Sequence, residues 1–300
     1  MLDAIGLVGI GLVGTAIAES LLAAKFGVVG FDIDSDGCKR LDEMGGKALG
    51  SAADVAEETD RIVLSLPSTD IVQQVVEGPG GILEADSPPR YIIDTTTGDP
   101  EETTELAEIL LGRGIYLLDS TISGSSKQVR DRQAVLMIGG DKQAFDACED
   151  VFHALSEKVF YLGPSGFGSK AKLASNLVLG LNRLVLAEGL VFAARLGLDP
   201  RAFLELLRVT PAYSAAMDSK GQKMIDADFT AEARIRQHHK DVSLILKYAE
   251  SLGQELPLSE VHRDVLDRAI AAGDGDLDNS AVIREIQRRA RQEGGPRESE

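Results

Sequence analysis

Basic charge is scarce in this 300-residue chain: 31 lysines and arginines stand against 48 acids, giving a formal net charge of -17 and a pI near 4.7. Nucleic acid and anionic membranes select basic surfaces, so neither is an expected partner. An anionic ligand would have to be held by local donors against the long-range field, and salt would weaken its binding little. Cysteine is almost absent. Cys38 and Cys148 are too few and too far apart for a disulfide framework or a Cys-rich zinc site, and a reducing cytoplasm is the simplest setting. The first residues carry no basic segment and their apolar run is broken by glycine, so neither a signal peptide nor a membrane span is expected.

What is present is ordinary globular composition, 44% hydrophobic and 26% charged, with enough chain for two domains. Short apolar runs at Ala4 to Gly9, Gly27 to Phe31, Ile62 to Leu66, Tyr91 to Asp94 and Ile115 to Leu118 read as buried strands. Segments with helical spacing, such as Thr15 to Lys25 and Glu101 to Leu111, lie between them, which predicts βαβ units and a mostly parallel sheet. Ala134 to Ile138 and Lys158 to Leu162 complete that sheet. After Gly163 the pattern turns helical, beginning with one long apolar helix from Ser169 to Leu196 that needs cover from later helices and from a second subunit. Asp241 to Ser251, Leu258 to Ala272 and Ser280 to Ala290 follow as helices. The expected domains are residues 1–163, an α/β Rossmann-type dinucleotide-binding domain, and 164–291, an all-α domain that includes the long helix, with 292–300 a flexible tail.

Gly9-Ile10-Gly11-Leu12-Val13-Gly14 follows the first predicted strand and opens the first predicted helix, where glycines permit the tight turn and the approach of a pyrophosphate to the backbone. Asp32 ends the second strand, placed to accept hydrogen bonds from an adenosine ribose and to repel a 2'-phosphate. No arginine follows it directly, although Lys39 and Arg40 lie on the next helix. NAD is therefore expected over NADP.

The second chemical motif is Gly166-Phe167-Gly168-Ser169-Lys170-Ala171-Lys172-Leu173-Ala174-Ser175-Asn176. Lys172 and Asn176 share a helix face one turn apart, presenting an amine and an amide together. Close to a helix N-terminus the dipole disfavours a second positive charge, which favours the neutral amine that a general base needs.

These motifs, together with Asp119-Ser120-Thr121-Ile122-Ser123-Gly124-Ser125 and Lys240-Asp241-Val242-Ser243-Leu244, occur in an order that resembles the β-hydroxyacid dehydrogenases, the group containing 3-hydroxyisobutyrate dehydrogenase and tartronate semialdehyde reductase. The resemblance runs to about Arg291. It implies a Rossmann-type domain, a connecting helix and a helical domain with the active site in the cleft, and a dimer or tetramer. It implies that Lys172 is the general acid/base and Asn176 its partner in orienting substrate. Ser123, Gly124 and Ser125 would bind the substrate carboxylate, Leu66, Pro67 and Thr97 would neighbour the cofactor, and Lys240 would contact cofactor or substrate. The implied reaction interconverts a small anionic 3-hydroxy acid and its semialdehyde or keto acid.

Departures from the family pattern are equally visible. Ser175 replaces the first of two asparagines, Ala233 and Asn279 stand where phenylalanine is frequent, and Leu266 where tyrosine is common, which predicts a roomier, less aromatic pocket. Lys127 and Arg130 would add a second anion contact if they turned inward. His238 and His239 lack spaced acidic or cysteine partners, so no metal is expected. Two other readings remain open at this level: imine reduction on the same scaffold, which Lys172 with Asn176 argues against, and a cofactor-binding module without catalysis.

Overall fold

The computed structural model describes residues 2–292; the part of the expected tail from 293 to 300 lies outside the described residues. Eight strands, β1 (Leu2–Val8), β2 (Phe26–Phe31), β3 (Lys47–Ala48), β4 (Arg61–Leu64), β5 (Tyr91–Asp94), β6 (Tyr116–Ser123), β7 (Val135–Gly139) and β8 (Lys158–Gly163), form one sheet in the order β3-β2-β1-β4-β5-β6-β7-β8. Neighbours run parallel throughout, except that β6 and β7 are antiparallel. The strand order reverses between β1 and β4. In an open α/β sheet, that reversal leaves a crevice at the carboxyl ends of the two strands, where ligands bind.

Strand periodicity divides the core between the two sheet faces. Ile5, Leu7, Ile93 and Leu118 pack with Ile17, Leu21 and Phe152 on one side. Val8, Ile62, Leu64, Ile92 and Leu117 pack with Val55, Val72 and Leu106 on the other. Adjacent residues of one strand thus serve opposite layers, and a sheet covered on both faces reads as continuous apolar runs.

Two strands depart from the expectation. The two-residue β3 has no apolar run to announce it. β6 continues past Leu118 to Ser123, because Asp119, Ser120, Thr121, Ile122 and Ser123 pair in register with β7 from Gly139 back to Val135. Asp119, Ser120 and Thr121 are buried there, so a polar stretch forms an interior strand.

The chain divides into two compact units, residues 1–172 and 173–300. The first contains the sheet. The second is helical, its core formed by Leu186, Ala187, Leu190, Leu204, Met217, Val265 and Ile283, and it includes the helices Ile235–Ser251 and Pro257–Ala271. The boundary falls within the helix Phe167–Arg195, which by length and composition could cross a membrane: its most apolar window has mean hydropathy 1.7 and is 39% buried. Within it Lys172, Asn176 and Arg183 are buried, while Val178, Val185 and Phe192 are exposed.

Candidate active site

The glycine loop is built on contacts that exclude side chains. Gly9 has a φ of +93°, and a Cβ there would lie 2.3 Å from the Ser65 carbonyl oxygen. A Cβ on Gly14 would lie 2.0 Å from the Gly9 carbonyl oxygen, whereas one on Gly11 would meet nothing within 4 Å. Tight packing at the outer glycines and open space at the middle one fit a dinucleotide phosphate laid against the backbone. Gly11 caps the helix Leu12–Ala23 without a side-chain hydrogen bond.

Asp32 does more than end β2. Its Oδ2 accepts the Ile10 N–H and its Oδ1 accepts the Asp34 N–H, the latter at 2.8 Å. Arg40, from the next helix, donates through Nη2 to the Ile10 carbonyl at 3.0 Å, while Lys39 pairs with Asp36 at 3.0 Å. The end of β2 is therefore a braced carboxylate with one arginine clamping the glycine loop. Leu66 and Pro67 follow β4, and the Leu66 N–H donates to Thr96 Oγ1 at 3.2 Å, next to the half-buried Thr97 beyond β5.

The lysine helix is bolted to β6. Asp119 accepts the Gly166 N–H at 2.9 Å and the Ser169 N–H at 2.8 Å, and Thr121 Oγ1 donates to the Gly168 carbonyl at 3.0 Å. A Cβ at Gly168 would sit 2.2 Å from the Asp119 carbonyl oxygen, so only glycine allows this approach. Burial pushes the Asp119 carboxyl above the usual carboxylate range, and the two N–H donors offset part of that rise. Sequence reasoning assigned Asp119 no role of its own.

At the far end of β6 stand Ser123, half-buried, and Gly124, exposed with a φ of +153°. Ser125 is engaged elsewhere: its hydroxyl accepts the Gln128 N–H at 3.3 Å, and its N–H donates to Gln128 Oε1 at 2.8 Å. This is a capping box on the helix Ser126–Arg130. Arg130 pairs with Glu19, and Lys127 with Asp131 at 3.0 Å.

Lys172 is 8% exposed and Asn176 5%. In the helical unit, Asn176 Nδ2 donates to Asp241 Oδ2 at 3.0 Å, and Lys240 lies 3.6 Å from Asp241 Oδ1. His239 contacts Asp267 at 2.7 Å, joining two helices. His238 packs its ring against His262, with centroids 5.1 Å apart. Among the described residues no group of three His, Cys, Asp or Glu side chains is arranged to hold a metal ion.

Residues 4–163 match the family model described as the NAD binding domain of 6-phosphogluconate dehydrogenase. Residues 166–286 match that of the NAD-binding domain of NADP-dependent 3-hydroxyisobutyrate dehydrogenase. The chain is similar to 2-(hydroxymethyl)glutarate dehydrogenase of Eubacterium barkeri, 30% identical over 281 residues and covering 93% of both chains. It is 29% identical over 282 residues to glyoxylate/succinic semialdehyde reductase 1 of Arabidopsis thaliana, covering 94% of this chain and 98% of that one. The solved structure of 3-hydroxyisobutyrate dehydrogenase from Salmonella typhimurium has a TM-score of 0.86 at 26% identity, covering 94% of this chain and 99% of that one. The chain spans about half the length of the N-PAC nuclear factors it also matches.

Proposed function

The chain belongs to the β-hydroxyacid dehydrogenases, nicotinamide-dinucleotide enzymes that act on CH–OH groups, and on that premise we propose that Lys172 is its general acid/base and NAD its preferred cofactor. The observation that carries this reading is a lysine buried at the entrance of a helix that Asp119 bolts to the strand bearing Ser123 and Gly124. An ordinary helical lysine would be solvated. A general base must be held in place, and burial with a braced backbone does that.

In oxidation Lys172 takes the proton from the substrate hydroxyl, and in reduction it returns one to the carbonyl oxygen. When bound, the cofactor supplies hydride acceptance or donation at nicotinamide C4. The Ser123 hydroxyl and the Gly124 N–H hold the substrate carboxylate, and Asn176 orients the reacting group. Lys240, half-buried next to Asp241, adds a positive charge for cofactor or substrate. The substrate class is a small 3-hydroxy acid or its semialdehyde or keto acid. Initial rates for a panel of short hydroxy acids and semialdehydes with NAD and NADP test the class; no turnover with any member would overturn it.

NAD is favoured by the Asp32 carboxylate at the end of β2, whose charge would repel a 2'-phosphate. Self-association is supported by the long helix. Val178, Val185 and Phe192 are 56%, 65% and 65% exposed, and a spacing of seven residues puts all three on one face. Between Lys172 and Arg195 the only charges are Arg183 and Glu188. In a molecule carrying -17, this face is where two copies meet without acid opposing acid.

A further inference from the structure

Ile10, in the middle of the glycine loop, is gripped on both its backbone groups by one segment, the end of β2 and the helix Ser35–Glu43 that follows it. Its N–H donates to Asp32 Oδ2, and its carbonyl accepts from Arg40 Nη2 at 3.0 Å. Thr15 Oγ1 offers the same carbonyl a longer contact of 3.3 Å. Lys39, next to Arg40 in the chain, turns to Asp36 instead. The helix is held close to the carboxylate, since a Cβ on Gly37 would lie 3.1 Å from Asp32 Cβ.

The two peptide units that meet at Ile10 are planar and trans, so fixing one polar group of each unit turns the other to the opposite side. Asp32 holds the Ile10 N–H, and the Gly9 carbonyl accordingly faces the first helix, where a Cβ on Gly14 would meet it at 2.0 Å. Arg40 holds the Ile10 carbonyl, and the Gly11 N–H accordingly points away from the guanidinium. Gly11 is exposed, and a Cβ on it would meet nothing within 4 Å. That open side is where backbone N–H groups can receive a phosphate oxygen.

We propose that Arg40 is a positioning residue for the cofactor diphosphate, holding the Ile10–Gly11 peptide so that the Gly11 N–H stays turned outward. The inference rests on dinucleotide binding at the glycine loop, and is independent of the choice between NAD and NADP and of the role of Lys172. Half-buried Arg40 also brings a permanent positive charge to the loop in a chain of net charge -17, where an anionic group needs local cations. Asp32 acts on the ribose, where the two cofactors differ. Arg40 serves the diphosphate, which they share.

The test titrates NADH and NADPH into the unmodified full chain, Arg40→Met and Arg40→Lys, with melting temperature, kcat and the KM for cofactor read on the same preparations. Arg40→Met should weaken both dinucleotides by the same factor, about 10-fold for one lost charge-assisted hydrogen bond. KM for cofactor should rise in step, with kcat at saturating cofactor unchanged. Arg40→Lys keeps a donor and the charge and should recover most of the affinity. Unchanged NADH binding in Arg40→Met overturns the inference, as does a loss confined to NADPH, which would make Arg40 a ligand of the 2'-phosphate. A loss that follows melting temperature and is not recovered by lysine overturns it too, leaving Arg40 a purely structural clamp. If the unmodified chain binds neither dinucleotide, the cofactor reading itself has failed and this inference with it; if it binds and Arg40→Met binds equally well, only the role of Arg40 has.

Discussion

The Asp119 carboxylate accepts the backbone N–H of Ser169 at 2.8 Å, joining residues 50 apart in sequence. Through this bond and its companion to Gly166, the strand that ends in Ser123 and Gly124 sets the position of the helix that carries Lys172. Asp119→Asn should turn an amide donor toward one of the two N–H groups. An unsatisfied buried donor costs about 1–3 kcal/mol, so the variant should melt earlier and turn over more slowly. Melting and turnover equal to the unmodified protein would show that the bolt has no such role.

Cofactor choice tests a second relationship, that of Asp32 with the glycine loop. Asp32→Ser combined with Ile33→Arg removes the repulsion of a 2'-phosphate and adds a cation at an exposed position. Preference should move toward NADP. Because Asp32 also braces the Ile10 N–H, affinity for both cofactors should fall somewhat. Steady-state kcat/KM for each cofactor reads both effects, and an unmodified enzyme that already prefers NADP would contradict the assignment.

The glycine loop, Asp32 and the lysine helix were legible in the sequence because each is a local pattern: spacing and neighbouring element type are enough. The polar half of β6 was not, since Asp119, Ser120 and Thr121 lack the apolar signature of an interior strand and are stabilised by pairing with β7. The contact of Arg40 with the Ile10 carbonyl and the burial of Arg183 were not legible, because they depend on which face of each helix turns inward, and the long helix is apolar nearly all round. Ser125 carried its own signal. Ser125-Ser126-Lys127-Gln128 has the spacing of a capping box, and the structure forms one at the start of the helix Ser126–Arg130.

Acid stability should depend on His262. Burial and the nearby Arg183 hold its folded pKa down to about 4 from 6.5. The unfolded chain therefore binds the proton more readily, so this contribution is complete above pH 6.5 and is lost as pH falls toward 4. The full loss is about 3 kcal/mol from the size of that shift. Melting temperatures of the unmodified protein should fall across this window, and those of His262→Gln should fall less steeply. Parallel curves would contradict the prediction.

The exposed stripe on the long helix predicts assembly. Burying a large apolar side chain contributes about 1.5–3 kcal/mol, and Val185→Glu with Phe192→Glu would place acids on both sides of a symmetric contact. Light scattering should show an oligomer for the unmodified chain and a monomer for the double variant. A monodisperse monomer without substitution would refute self-association.

The central claim is that Lys172 moves the proton. It is tested most directly by the turnover number of Lys172→Ala on the best substrate, with NADH binding measured on the same preparation. Turnover should fall by about 10² to 10⁴ while NADH binding is retained; near-normal turnover would contradict the account.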